Sequence, residues 1–298
     1  MDSSMIKKSQ KWMGGVPPWV YIFLCAMLLA PLVLRLSIEW TVNAQYYYGW
    51  SVPLLAAYLF YERTLDKPAP QPARFGAVAI GGILLLALPQ VVLRLVGEAN
   101  TDWRLISWGM GANAIGIVLC VIYLLGGWAW VRQFGFPILF LATAIPWPTG
   151  GEQWLVQGMM RLNATVAAEF VSLCGVPAIA TGNVIELSTG VLGVNEACSG
   201  IRSLQSTLMA SIFLGELYRL SLFGRFVLVG AGVGVAFLLN VVRTIFLSWQ
   251  GAFHGIEATE KWHDTAGFAI LAMVLIFLWL ISRFLEKRAW RDSRIGEI

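Results

Sequence analysis

The sequence predicts an all-α integral membrane protein of about eight transmembrane helices. Both termini lie inside, and an outer amphipathic helix and a small hairpin precede helix six. Three observations predict this. The 298 residues are 58% hydrophobic and only 13% charged, with a mean hydropathy of +0.70, whereas a soluble domain is about half apolar and a quarter charged. Apolar stretches recur at lengths that suit a hydrocarbon core of about 30 Å, which takes roughly 20 helical residues. Lysine and arginine are distributed unequally between alternate loops. The composition excludes a disordered, collagenous or disulfide-rich secreted chain. The 14 Trp and 8 Tyr suit membrane–water interfaces.

In chain order, the expected spans are 18–38, 46–61, 75–96, 106–130, 134–147, 198–218, 226–249 and 265–283. Lys7, Lys8 and Lys11 precede the first, which reads as an uncleaved anchor because no small-residue cleavage site follows. The segment Asp66 to Pro72 carries three prolines and reads as a stiff cytoplasmic loop, the nearest approach to a linker. The fifth stretch is short and ends in Pro146-Trp147-Pro148, which suits a tilted or partly re-entrant entry. The whole chain, 1–298, reads as one polytopic domain: four N-terminal spans over 1–130, a core region over 131–285 and a basic cytoplasmic tail over 286–298.

Charge placement sets the orientation. With the N-terminus inside, 14 of the 21 basic residues are cytoplasmic: Lys7, Lys8, Lys11, Arg63, Lys67, Arg74, Arg132, Arg219, Arg225, Arg283, Lys287, Arg288, Arg291 and Arg294. This orientation accounts for most of the net charge of +4 (21 − 17), so the charge does not point to nucleic acid. Arg35 and Arg94 lie near outer helix ends and read as snorkelling side chains.

The longest outer segment runs from about 148 to 197. Leu155, Met159, Leu162, Val166, Phe170 and Leu173 recur every three or four residues, which predicts an amphipathic helix on the outer face. Val184–Leu187 and Val191–Val194, around Ser188-Thr189-Gly190, read as a hairpin. It leads directly to Asn195, Glu196, Ala197 and Cys198.

The candidate chemistry begins there. Cys25, Cys120 and Cys174 sit in apolar runs and read as small hydrophobes. No CxxC or Cys/His cluster exists, so neither metal nor cofactor is implied. Cys198 instead opens helix six, where the helix terminus favours a thiolate; the alternative is an inert cysteine. Arg202 is four residues on, expected on the same face. Arg243 lies inside span seven, about 9 Å from the end at Trp249 at 1.5 Å per residue. A charge at such a position is a functional candidate, unless it snorkels. His263 begins span eight, and His254 falls in the same expected loop. Because spans six, seven and eight alternate direction, Cys198, Arg243 and His263 must reach one face. A nucleophile, a fixed cation and a titratable base there meet the needs of cysteine acyl transfer.

The sequence resembles the exosortase/archaeosortase family over roughly 130–285. The resemblance rests on Ala197-Cys198-Ser199-Gly200-Ile201-Arg202-Ser203, on Asn240-Val241-Val242-Arg243 and on His263. It implies a membrane cysteine protease or transpeptidase that cleaves the C-terminal sorting tail of exported proteins. Such a tail is a short motif, often Pro-Glu-Pro, then a transmembrane helix and a basic cluster. By this resemblance Cys198 attacks and forms a thioacyl enzyme, His263 is the general acid/base, and Arg243 stabilises the oxyanion or orients the thiolate. The implied partners are tailed substrates, membrane lipid and an amine acceptor or water. The implied location is a bacterial inner membrane with the site facing the periplasm.

Around these three, Ser199 and Arg202 either line the site or cap and pack helix six. Asn195 and Glu196 either hold substrate backbone or form a turn. Asn240 either orients Arg243 or bonds between helices, and Asp264 can fix the tautomer of His263. Gly230, Gly232 and Gly234 suit close helix packing, and Asn163-Ala164-Thr165 matches a glycosylation acceptor by pattern alone. Two other functions remain open. A transporter would carry polar residues at mid-membrane on several spans; a non-catalytic scaffold of an export or polysaccharide system would tolerate loss of Cys198.

Overall fold

A computed structural model describes residues 18–100, 102–193 and 199–295. The chain divides into two compact units at Thr149–Gly150. In the first, α1 spans Pro18–Val42. A 3-10 turn, Ala44–Trp50, follows, and the Asn43 side chain caps it by accepting from the Gln45 amide at 3.1 Å. Next come α2 (Ser51–Leu65), α3 (Gly76–Ala99) and α4 (Arg104–Phe140), the last extended by a 3-10 turn at Leu141–Ala144.

Spans four and five were expected as separate helices. They are one element of 37 residues interrupted at Gly127, whose φ of 68° and ψ of −163° are non-helical. Only glycine suits this position, since a Cβ would also lie 2.9 Å from the Gln71 carbonyl oxygen. The proline-bearing loop straps onto this break. The Gln71 amide donates to the Gly126 carbonyl at 3.1 Å, and the Trp130 indole donates to the Pro68 carbonyl at 3.0 Å.

The Pro146-Trp147-Pro148 turn cannot continue a helix, so its carbonyls need other partners. Aromatic side chains supply them. Trp40 donates to the Ala144 carbonyl at 2.8 Å, Trp108 to that of Pro146 at 2.9 Å, and Tyr48 to that of Thr143 at 3.2 Å. The Tyr46 hydroxyl accepts from the Trp147 amide at 2.9 Å.

The second unit holds α5 (Thr149–Leu173, beginning one residue before the division), a three-stranded sheet, α6 (Ile201–Leu217), α7 (Leu222–His254) and α8 (Ile256–Ile295). The expected hairpin is present as β2 (Val184–Leu187) and β3 (Gly190–Gly193), with Leu187 opposite Gly190; Val194 lies outside the described residues. A further strand, β1 (Ala178–Thr181), pairs antiparallel with β2.

Helix α5 forms as expected, but it buries a different face. Glu152, Val156, Met160, Asn163, Ala164, Ala167, Ala168 and Val171 are buried together with Met159. Of the expected stripe, Leu162, Phe170 and Leu173 are exposed. Small alanines allow close packing, and the two polar residues find partners inside, so the larger apolar side chains face outward.

Five helices are long and apolar enough to cross a membrane: Trp19–Val42, Gly76–Ala99, Arg104–Ala144, Leu222–His254 and Ile256–Arg288. This fits an integral membrane protein. Three of the eight expected spans do not stand as such helices. Helices α2 and α6 have 15 and 17 residues, about 22 and 26 Å at 1.5 Å per residue. The fifth expected span is the continuation of α4. These five helices expose apolar faces, for example Val78, Leu85, Leu88, Val92 and Leu95 of α3.

Candidate functional site

The turn before α6 is built around Ser199 and Gly200. Gly200 stands at the helix N-cap in a left-handed conformation, φ 86° and ψ 3°. A side chain there would be strained and would strike the Asn240 amide. Ser199 is wholly buried, and its hydroxyl accepts from the Ile201 amide at 3.2 Å. It thus satisfies one of the unpaired N–H groups at the start of α6, as a capping side chain does. Its carbonyl accepts two hydrogen bonds, one from the Asn163 amide nitrogen of α5 at 3.2 Å and one from that of Asn240 of α7 at 3.0 Å.

Helix α6 begins at Ile201, directly after the left-handed Gly200. The Arg202 side chain is exposed. Cys198 itself, with Asn195 and Glu196, lies outside the described residues.

One turn beyond Asn240 on α7 is Arg243. Its side chain is buried, with 8% relative exposure, so it does not snorkel to water. A guanidinium nitrogen lies 3.1 Å from His263 Nε2 and donates to the His263 carbonyl at 3.4 Å. The same guanidinium lies over Gly267, one turn further along α8, where a Cβ would be 3.6 Å away. His263 Nδ1 is 3.0 Å from Asp264 Oδ1. A guanidinium only donates, so His263 Nε2 must accept and Nδ1 carries the proton toward Asp264. Partner chemistry thereby assigns the tautomer. The Asp264 side chain is 89% exposed, which leaves the contact strongly screened.

The expected loop carrying both histidines is absent. Helix α7 runs to His254 and α8 starts at Ile256, with only Gly255, φ 88°, between them. His263 therefore sits two turns inside α8, while His254 occupies the last turn of α7 with its side chain exposed.

Two buried contacts escaped sequence reading. Asn163 is fully buried and bonded to the turn, so its match to a glycosylation acceptor is accidental. Gln205 of α6 donates to Glu152 of α5 at 3.3 Å, with both residues buried. The available signal was the small-residue face of Ala164, Ala167 and Ala168 beside Asn163.

Helices long and apolar enough to cross a membrane, with a polar cluster of buried Asn240 and Arg243 and half-buried His263, define a polytopic membrane protein whose polar centre lies within its second unit. The chain belongs to the transmembrane exosortase family (Exosortase_EpsH), whose family model matches residues 40–280. That family acts on exported proteins bearing sorting signals, and its members are in general membrane cysteine peptidases or transpeptidases. No curated protein and no solved structure matches the chain.

Proposed function

We propose that this protein is a cysteine protease or transpeptidase that cleaves the C-terminal sorting tail of exported proteins, with Cys198, Arg243 and His263 as its catalytic residues. One observation carries the reading. The Ser199 carbonyl, next in chain to Cys198, is bonded by Asn240, and Arg243, one turn away on the same helix, meets His263 at 3.1 Å. These contacts support the reading, since acyl transfer requires a nucleophile, a proton shuttle and an oxyanion donor close together.

In this mechanism His263 takes the thiol proton and the Cys198 sulfur attacks the scissile carbonyl. The carbonyl oxygen gathers negative charge in the tetrahedral intermediate, and the Arg243 guanidinium stabilises it. Collapse breaks the C–N bond, His263 returns the proton to the leaving amine, and a thioacyl enzyme remains. An amine acceptor or water then attacks that thioester. His263 is freed for proton transfer when Arg243 turns toward the oxyanion, since its Nε2 holds the Arg243 hydrogen bond at rest. The substrate is a protein whose tail ends in a short Pro-Glu-Pro-type motif, a transmembrane helix and a basic cluster. A helical anchor would present the motif near the membrane surface. The location is a bacterial inner membrane with N- and C-termini inside and the site facing the periplasm.

Co-expression with a tagged, exported reporter carrying such a tail tests the proposal. Wild type should shorten the reporter on a blot, and Cys198→Ala at equal membrane level should leave it full-length. Equal processing by Cys198→Ala would refute the mechanism and favour a scaffold role.

A further inference from the structure

Asn163 had no role in the sequence reading beyond an accidental pattern. The structure gives it a partner that no capping rule or helix-packing rule requires. Its amide nitrogen and that of Asn240 converge from two different helices on a single carbonyl, that of Ser199. Both side chains are buried, Asn163 at 0% and Asn240 at 1% relative exposure. A carbonyl has two lone pairs, and here both are used. On the other side of the same peptide, Gly200 lies against the Asn240 amide too closely for any Cβ. The Asn240 backbone is fixed in turn, because the Thr244 hydroxyl donates to its carbonyl at 3.1 Å.

Burying two amides costs free energy that well-packed apolar residues would not. A purely structural helix cap is already supplied by the Ser199 hydroxyl on the Ile201 amide. The two asparagines therefore add something else: they fix the orientation of the peptide plane joining Ser199 to Gly200. That plane begins at Ser199, the residue next in chain to position 198, and a trans peptide leaves only two soft dihedrals per residue.

We infer that Asn163 and Asn240 form an amide clamp that positions the Cys198-bearing turn for reaction, with both acting as positioning residues. This rests on Cys198 being the nucleophile, as proposed above. The clamp ties the Ser199–Gly200 peptide to the face of α7 that also carries Arg243.

The test uses the full-length protein in proteoliposomes, with the tailed reporter as substrate. Asn163→Leu and Asn240→Leu keep the approximate volume and remove the donors. Each should lower kcat by about 10- to 100-fold, the scale of a misplaced reacting group, with little change in KM. Gln205→Leu is the control, since it removes an equally buried amide that bonds Glu152 instead of the turn. It should leave kcat within about threefold even if its melting temperature falls as far. Hydrogen exchange reads the clamp without any reaction: amides around 199–201 should lose protection in the asparagine variants and keep it in Gln205→Leu. If the leucine variants fail to accumulate, Asn163→Ser and Asn240→Ser, too short to reach the carbonyl, are judged by the same measures.

Unchanged kcat, unchanged exchange, or an equal kcat loss in Gln205→Leu would overturn the clamp. Cys198→Ala in the same assay separates the two ideas. If it still processes the reporter, the cysteine mechanism fails. If it is dead while the asparagine variants turn over normally, only the clamp fails.

Discussion

The two units handle buried polarity in opposite ways. Among the described residues of the first, only Thr64, Ser107 and Asn113 are buried and polar. Among its described residues the second buries thirteen, including Glu152, Asn163, Ser199, Gln205, Asn240 and Arg243. In the first unit the hydrogen bonds that hold irregular backbone come mostly from Trp and Tyr side chains at its Pro-rich turn. These residues carry large apolar bodies and one donor each, so they satisfy carbonyls at little cost in desolvation. The second unit instead buries amides and a guanidinium, which is expensive unless every group is partnered. Such a cost is retained where the polar groups have a use, and the candidate site lies there.

Changes at the candidate site of the second unit should therefore act on turnover, and changes in the first unit on stability. The largest effect is expected from Cys198→Ala, which should abolish reporter processing. Arg243→Ala follows, with a loss of about 10²- to 10³-fold in kcat, as for removal of an oxyanion donor. Arg243→Lys should recover little of it, because an ammonium cannot span His263 Nε2, the His263 carbonyl and a substrate oxygen as a planar fork can. Full activity in the lysine variant would show that charge alone suffices.

In the first unit, Gly127→Ala forces a non-glycine residue to φ 68° and against the Gln71 carbonyl. It should cost about 1–3 kcal/mol, read as a lower melting temperature in detergent, with kcat of the folded fraction unchanged. Trp108→Phe removes the donor to the Pro146 carbonyl and should cost about 1 kcal/mol, again without loss of turnover. A large kcat effect from either change would break the contrast between the units. The smallest effect belongs to Asp264→Asn. The carboxylate is almost fully exposed, so kcat should stay within about threefold of wild type.

The meeting of Asn240 with Ser199 and of Arg243 with His263 was legible in the sequence. Hydropathy and charge bias identified a membrane protein, and the alternation of the last helices required the starts of α6 and α8 and the far part of α7 to share an end. The Asn240–Ser199 and Arg243–His263 contacts agree with that reasoning. The Asp264 carboxylate stands 3.0 Å from His263 Nδ1, where a tautomer-fixing partner would stand. The carboxylate reaches Nδ1 because Arg243 already turns the imidazole by holding Nε2.

Sequence by itself determined the membrane class, the hairpin and the residue types that meet in the second unit. Each follows from local composition or periodicity, which a reader can sum along the chain. Tertiary structure alone decided which face of α5 is buried, since Asn163 and Glu152 become favourable inside only when the Ser199 carbonyl and Gln205 are there to meet them. It decided that Ala178–Thr181 is a strand, because two alanines have weak strand preference until β2 offers its edge. It also decided that one glycine suffices between α7 and α8. For α5 the partners lie 36 and 53 residues away in sequence, and no local window contains both members of such a pair.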